Sequence, residues 1–132
     1  MTHVRSVEAS SPEAVQSKAL LLDCFGVDLS DQGAVDHFVG YVDTADTIAV
    51  TSHPDNSEKI AGVALMSADA RPGDYRIDFI GVAEEARGKG LASSLIEFCE
   101  SHAVELGGRR MLVESTIGNG HRLYVGLGYL TT

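Results

Sequence analysis

A chain of 132 residues with 44% hydrophobic and 22% charged residues has the size and composition of one soluble globular domain, so we expect residues 1–132 to form a single domain. The formal net charge of −9 argues against nucleic-acid binding, because phosphate backbones require a basic surface. No apolar run approaches the roughly 18 residues of a membrane helix, and the N-terminus lacks a signal-peptide pattern, so we expect a cytoplasmic protein without a membrane partner.

The first part of the chain reads as a strand followed by two helices. Val4 to Val7 alternates weakly, which favours a strand. A serine cap, a proline and an acidic residue at 11–13 predict the start of a helix over residues 12–25, which Gly26 ends. Ser30-Asp31 predicts the start of a second helix, with four apolar side chains on one side: Val35, Phe38, Val39 and Val42.

Three strands follow, over residues 47–51, 60–66 and 75–82. They are separated by turn sequences at residues 53–56 and 71–74, both of which contain proline. Short connections of this kind predict an antiparallel meander.

A long amphipathic helix is predicted next, since apolar residues recur at steps of three and four from Leu91 to Leu106 and Gly107-Gly108 follows. Met111–Ser115 reads as a strand, and His121–Leu127 as a last helix that ends at Gly128. A strand, helix and strand in this order predict a crossover and a parallel pair.

The segment with the clearest chemistry joins the third meander strand to the long helix: Arg87-Gly88-Lys89-Gly90-Leu91-Ala92. Glycines let the backbone approach a ligand, and the first helical turn has N–H groups without intrahelical acceptors. With the helix dipole and two basic side chains, this turn favours an anion such as a diphosphate. Alone the pattern is weak, and it matches neither a Walker loop nor a dinucleotide fingerprint.

Two motifs together resemble the GNAT superfamily of N-acetyltransferases. Residues 87–92 fit its R/Q-x-x-G-x-G/A pattern, and the preceding strand ends at Val82, five residues before Arg87. Leu123-Tyr124-Val125-Gly126-Leu127-Gly128-Tyr129 is similar to its second signature, L-Y-x-x-L-G-F/Y. The order of elements matches over nearly the whole chain. The resemblance implies an α/β (α+β) fold with a mixed, mostly antiparallel central sheet and helices on both faces.

The resemblance also implies a ligand and the residues that bind it. Acetyl-CoA would be the acyl donor, with its diphosphate on six residues of the turn: Arg87, Gly88, Lys89, Gly90, Leu91 and Ala92. The pantetheine arm would lie beside Ile80 and Val82. A backbone N–H near Val82 would polarise the thioester carbonyl.

The resemblance implies that the acetyl group is transferred to a primary amine, whose nitrogen attacks the thioester directly. This attack requires the neutral form of the amine. For an ordinary amine at pH 7, conversion of the ammonium form to the neutral form costs roughly 4.6 kcal/mol. Asp78 is the candidate base, and strand alternation predicts that it shares a face with Ile80 and Val82. Glu114 is the second choice, and water alone stays an alternative. Tyr124 occupies the place of the family's usual acid, which protonates the thiolate.

Two positions depart from the family pattern. Many relatives have an asparagine seven residues before the helix tyrosine, and Ile117 occupies that position here. Asn119 lies two residues further along the chain, and we retain it as a CoA-binding candidate. The family's final strand pair is cut short after Gly128-Tyr129. Strand Met111–Ser115 would then have an uncovered edge. A truncated sequence, a naturally short fold and a partner chain, as in a homodimer, all remain open.

Neither cysteines nor histidines predict a metal site. Cys24 and Cys99 form no CxxC motif and read as two buried thiols. The five histidines show no ligand spacing.

Other functions remain open at this point. The main alternative is a catalytically weak or inactive CoA-binding or interaction module, and a third is an unrelated nucleotide binder. Acceptor candidates are small amines, amino acids, polyamines and a protein N-terminus or lysine, of which we favour a small molecule. A cation is favoured by the aspartates along the second helix and its flanks: Asp28, Asp31, Asp36, Asp43 and Asp46.

Overall fold

The computed structural model describes residues 3–113, and these form five strands and three α-helices. In chain order they are β1 (Val4–Val7), α1 (Pro12–Cys24), α2 (Gln32–Val42), β2 (Thr47–His53), β3 (Asn56–Ala68), β4 (Asp74–Val82), a short 3-10 helix (Glu84–Ala86), α3 (Leu91–Glu105) and β5 (Arg110–Val113). The helix predicted at His121–Leu127 lies outside the described residues. None of the helices in the described part has the length and apolar character to cross a membrane.

The strands form one sheet in the order β1-β2-β3-β4-β5. Neighbours pair antiparallel up to β4, whereas β4 and β5 pair parallel. The predicted meander and the predicted crossover are therefore both confirmed. Helix α3 makes that crossover, which places its first residue next to the end of β4.

Side-chain caps begin the first two helices as predicted. The Ser11 hydroxyl accepts a hydrogen bond from the Ala14 N–H at 3.2 Å, and the Asp31 carboxylate accepts one from the Ala34 N–H at 3.1 Å. Each cap occupies an N–H that the helix cannot pair internally. Helix α3 differs, because its N-cap is Gly90 and no side chain caps it.

Helices cover both faces of the sheet, as expected for this fold class. One face packs on α3, in a buried cluster of Ala49, Ala64, Met66, Ile77, Leu95, Ile96, Cys99 and Ala103. The other packs on α1 and α2, in a cluster of Leu21, Val42, Val50, Ile60, Val63 and Leu65. Burial of these side chains is the main stabilising contribution to the fold.

Strand β3 is longer than the strand predicted at residues 60–66. It begins at Asn56, because the polar residues before Ile60 continue the hairpin with β2, where His53 pairs with Asn56. These added residues are exposed, so apolar periodicity gave no sign of them.

Strand β4 contains a bulge that the sequence pattern did not predict. Leu65 of β3 pairs with Phe79, yet Met66 pairs with Ile77, so Asp78 has no partner residue on β3. An extra residue of this kind bends a strand and changes which face the side chains before it occupy.

Candidate functional site

Helix α3 begins with a run of backbone N–H groups that have no acceptor among the described residues. Gly88 and Gly90 have φ angles of 81° and 78°, a left-handed conformation that glycine adopts without steric cost. Within residues 3–113, no acceptor is found for the backbone N–H groups of residues 88–93, and the first paired amide is that of Ser94, which donates to the Gly90 carbonyl at 3.1 Å. These donors and the positive end of the helix dipole form a site suited to an anion.

The last residues of β4 present a second set of backbone groups. The Ala83 N–H donates to the Ala61 carbonyl on β3 at 2.8 Å. Because paired and outward positions alternate along an antiparallel strand, Ile80 and Val82 direct their N–H and C=O groups toward the opposite edge. In the described part of the chain, β5 pairs only with residues 74–77 of β4, so no strand there pairs with this edge at Ile80 and Val82.

A cavity of about 430 Å³ joins the two features. Seven of the residues predicted to bind CoA line it: Ile80, Val82, Arg87, Gly88, Gly90, Leu91 and Ala92. Lys89 is exposed and is not among the lining residues described. Asn119 and Tyr124 lie outside the described residues, as does Glu114.

Helix α1 also contributes to this cavity, which the sequence pattern did not predict. Cys24 and Phe25, at the end of α1, line it together with Gly81 and Ser93. A glycine inside a strand often marks a close approach, and Gly81 was the available signal. A Cβ atom there would lie 3.1 Å from both Cys24 Sγ and Leu21 Cδ2, so this glycine lets α1 pack against β4.

The expectation of two buried thiols is correct for one cysteine and wrong for the other. Cys99 lies on the buried face of α3 and is fully buried, and desolvation raises the pKa of its thiol to about 12. Cys24 is half-buried at the cavity wall, because α1 ends there. Burial is also the largest influence on the Cys24 thiol and raises its pKa, while a hydrogen bond with Arg87 acts in the opposite direction.

The carbonyl of Val82 connects the cavity walls. It accepts hydrogen bonds from Arg87 Nε at 3.1 Å and from the Cys24 thiol at 3.6 Å. The Arg87 side chain is thereby held beside the unpaired amides of the α3 start. The site therefore combines backbone donors with a fixed positive charge.

Asp78 does not lie where strand alternation predicted. Its Oδ2 accepts a hydrogen bond from the Ser67 hydroxyl at 2.6 Å, and its Oδ1 accepts one from Arg76 Nε at 2.6 Å. Ile80 and Val82 pack instead with the cluster beneath α3. The prediction that the three side chains share a face is wrong, because the bulge at Asp78 interrupts the alternation.

A second cavity, of about 420 Å³, lies beyond Leu91 on the side of β1 and β2. Its lining includes His3, Arg5 and His53. Of its lining residues described, only Leu91 was predicted to belong to the site. No group of three or more potential metal ligands occurs within residues 3–113. Seven of the predicted CoA-binding residues thus line the first cavity, whereas Lys89 and the candidate base Asp78 are not among its lining residues described.

Known structures share this architecture at low sequence identity. AAC(6')-Iy in complex with the bisubstrate analogue CoA-S-monomethyl-acetylneamine superposes with a TM-score of 0.76 at 15% identity, covering 100% of this chain and 92% of that one. A ribosomal-protein-alanine N-acetyltransferase from Brucella melitensis biovar Abortus 2308 gives 0.76 at 16% identity, with 99% and 93% covered. Glucosamine-6-phosphate N-acetyltransferase from Arabidopsis thaliana gives 0.68 at 20% identity, with 100% and 93% covered.

Sequence comparison gives a family but no individual relative. No curated protein matches the chain. The family model described as "Acetyltransferase (GNAT) family" matches residues 17–129, which is most of the chain and includes both motifs. The resemblance is confirmed by this match, and the chain belongs to the GNAT acetyltransferase family.

Proposed function

We propose that this protein transfers the acetyl group of acetyl-CoA to a primary amine by direct attack in a ternary complex. One observation carries the proposal: six consecutive N–H groups, at residues 88–93, have no acceptor in the described part of the chain, and five of these residues line a cavity together with Ile80 and Val82. A ligand with a diphosphate at one end and an amide-bearing arm at the other matches both. The similar AAC(6')-Iy structure holds a CoA-derived bisubstrate analogue.

The diphosphate binds at the start of α3. Its oxygens accept hydrogen bonds from the backbone amides of residues 88–93, and Arg87 and Lys89 add positive charge. The space beside the Cα atoms of Gly88 and Gly90 is open, because a side-chain carbon added at either glycine would have no atom of the described chain within 4 Å. Phosphate oxygens can therefore approach the backbone there.

The pantetheine arm extends β4 as a short strand would. Its amides pair with the outward N–H and C=O groups of Ile80 and Val82, although Val82 C=O already accepts bonds from Arg87 and Cys24. An outward N–H near Val82 that the pantetheine arm leaves unpaired donates to the thioester oxygen and stabilises the negative charge on it as the tetrahedral intermediate forms.

Asp78 is the proposed proton acceptor for the attacking amine, directly or through a water molecule. Two of its roughly four acceptor positions are used by Ser67 and Arg76, which leaves two for the amine or water. Arg76 also pairs with Asp69 at 2.7 Å, so these three side chains carry a net charge of −1. That charge favours an ammonium group nearby. Glu114 and water alone are the competing proposals.

The reaction then breaks the carbon–sulfur bond as the amine nitrogen bonds to the carbonyl carbon. We assign Tyr124 as the donor of the proton that the departing thiolate takes up. In water this transfer is uphill by roughly 2 kcal/mol, but a site that excludes water disfavours the thiolate and reverses the sign. The nitrogen loses its proton to the base, so the charges balance.

A thiol-release assay with acetyl-CoA and a panel of amines tests the proposal. The wild type should release CoA thiol only when an amine is present, and Tyr124→Phe should lose turnover while its CoA affinity persists. If the wild type binds CoA but no amine promotes thiol release, the non-catalytic CoA-binding module is the correct function. If CoA does not bind, both functions fail.

A further inference from the structure

Four aromatic rings from three elements form a cluster beside the cavity. Phe79 of β4 is at its centre, with ring centroids 5.3 Å from Phe25, 5.2 Å from Phe38 and 6.0 Å from Tyr41. Phe25 and Tyr41 both meet Phe79 nearly edge-on, at 88° and 85°. Phe79 is thus held in place by ring contacts with both helices on that face.

The cluster is not closed off from solvent. Phe25 is 50% exposed and Tyr41 is 61% exposed. An apolar surface of this kind next to a cavity usually marks a binding site. Phe25 also lines the cavity that we assign to CoA, so the ring cluster adjoins the wall of that cavity.

The segment that carries three of these rings, residues 19–46, is negatively charged. Residues 19–46 contain six aspartates and neither lysine nor arginine. Of these, Asp43 pairs with Lys18 at 2.6 Å, whereas the carboxylates of Asp28 and Asp31 accept hydrogen bonds from neutral groups. Aromatic faces and uncompensated carboxylates both attract an organic cation.

We infer that the acceptor is a primary amine that carries an aromatic ring or an apolar group of similar size. Its ring packs on Phe25 and Tyr41, and the negative charge of the segment that carries these rings attracts its ammonium group. This inference rests on the proposed acyl transfer and restricts the acceptors to one class. A polyamine of equal or higher charge would leave the exposed rings without an apolar partner.

The test compares three amines at saturating acetyl-CoA: 2-phenylethylamine, ethylamine and putrescine. We expect kcat/KM for 2-phenylethylamine to exceed that for ethylamine and that for putrescine by at least about tenfold, because burial of an aromatic ring contributes binding free energy of that magnitude. Phe25→Ala should remove most of that preference, by lowering the ratio of kcat/KM for 2-phenylethylamine to kcat/KM for ethylamine, mainly through the KM of the aromatic amine. Tyr41→Ala, at the more exposed ring, gives an independent test if Phe25→Ala folds poorly.

Leu106→Ala is the matched control, because Leu106 is 53% exposed at the far end of α3 and should leave the preference intact. Equal or better turnover of ethylamine or putrescine would overturn this inference while leaving acyl transfer established. An aromatic preference that survives both Phe25→Ala and Tyr41→Ala would also overturn it. Absence of thiol release with all three amines would refute the proposed function and this inference with it.

Discussion

The thiol of Cys24 donates a hydrogen bond to the carbonyl oxygen of Val82, with a sulfur–oxygen distance of 3.6 Å. This contact joins the end of α1 to the last residue of β4. Arg87 donates to the same carbonyl at 3.1 Å. Helix α1, strand β4 and the glycine turn therefore meet at one atom, and a ligand in the cavity must lie against all three.

Thiol labelling should distinguish the two cysteines. Burial raises the pKa of both thiols, and that of Cys99 to about 12, so alkylation by iodoacetamide should be slow at pH 7 and faster as the pH rises. Mass spectrometry of the folded protein should find Cys24 modified before Cys99. CoA should slow the modification of Cys24, because that thiol lines its proposed cavity. Labelling of Cys24 that saturating CoA leaves unchanged would contradict the placement of the ligand.

Gly90→Val should abolish most CoA binding. A valine at a φ of 78° costs about 1–2 kcal/mol of backbone strain, and its side chain would enter the space assigned to the diphosphate. Loss of even one hydrogen bond to a charged group would weaken binding by about tenfold or more. Gly107→Val is the control, since Gly107 has a φ of 88°, equally open surroundings and a position at the other end of α3. Calorimetry should find both variants destabilised and only Gly90→Val impaired in CoA binding. Equal affinities would count against the site.

Gly81→Ala should destabilise the protein by about 1–3 kcal/mol, as overpacking does. The new Cβ would lie 3.1 Å from Cys24 Sγ, so the double variant with Cys24→Ala should regain part of the stability that Gly81→Ala loses. Urea denaturation of the two single variants and the double variant measures this coupling. Gly33→Ala serves as the control, because the nearest atom to its new Cβ is 3.5 Å away and alanine favours a helix. Strictly additive effects would show that Cys24 does not pack on Gly81.

The parallel pairing of β4 with β5 should depend on pH through Asp74. Arg110 donates to both oxygens of this buried carboxylate, at 2.9 and 2.5 Å, and these hydrogen bonds lower its pKa. A carboxyl whose pKa is lower in the folded state contributes its full stabilisation of the fold at pH values above its ordinary pKa of about 3.9. That stabilisation is lost as the pH falls toward the lower pKa of the folded state. Asp74→Asn should therefore lower the Tm at pH 7 and match the wild type in strong acid. Asp55→Asn, at an exposed turn, should change little. A Tm difference that persists below both pKa values would rule out this ionic cause.

The parts of the fold that the sequence predicted are those with local causes. Ser11 and Asp31 mark helix starts because a cap acts within three residues, and the glycine turn is visible because it is contiguous in sequence. The bulge at Asp78 was missed because residues 75–82 read as an uninterrupted strand, and the extra residue is visible only against the register of β3. The contributions of Cys24 and Phe25 to the cavity arise from packing between distant segments, which hydrophobic periodicity does not encode.

A residue-resolved amide titration tests the central claim most directly. Protein labelled with nitrogen-15 would be titrated with CoA and, separately, with pantetheine, which lacks the diphosphate. The account predicts that CoA shifts the amide signals of residues 88–93 most strongly, while pantetheine shifts signals near Ile80 and Val82 and leaves the α3 start nearly unchanged. Unmoved amides at residues 88–93 with millimolar CoA, in a sample that is demonstrably folded, would contradict it.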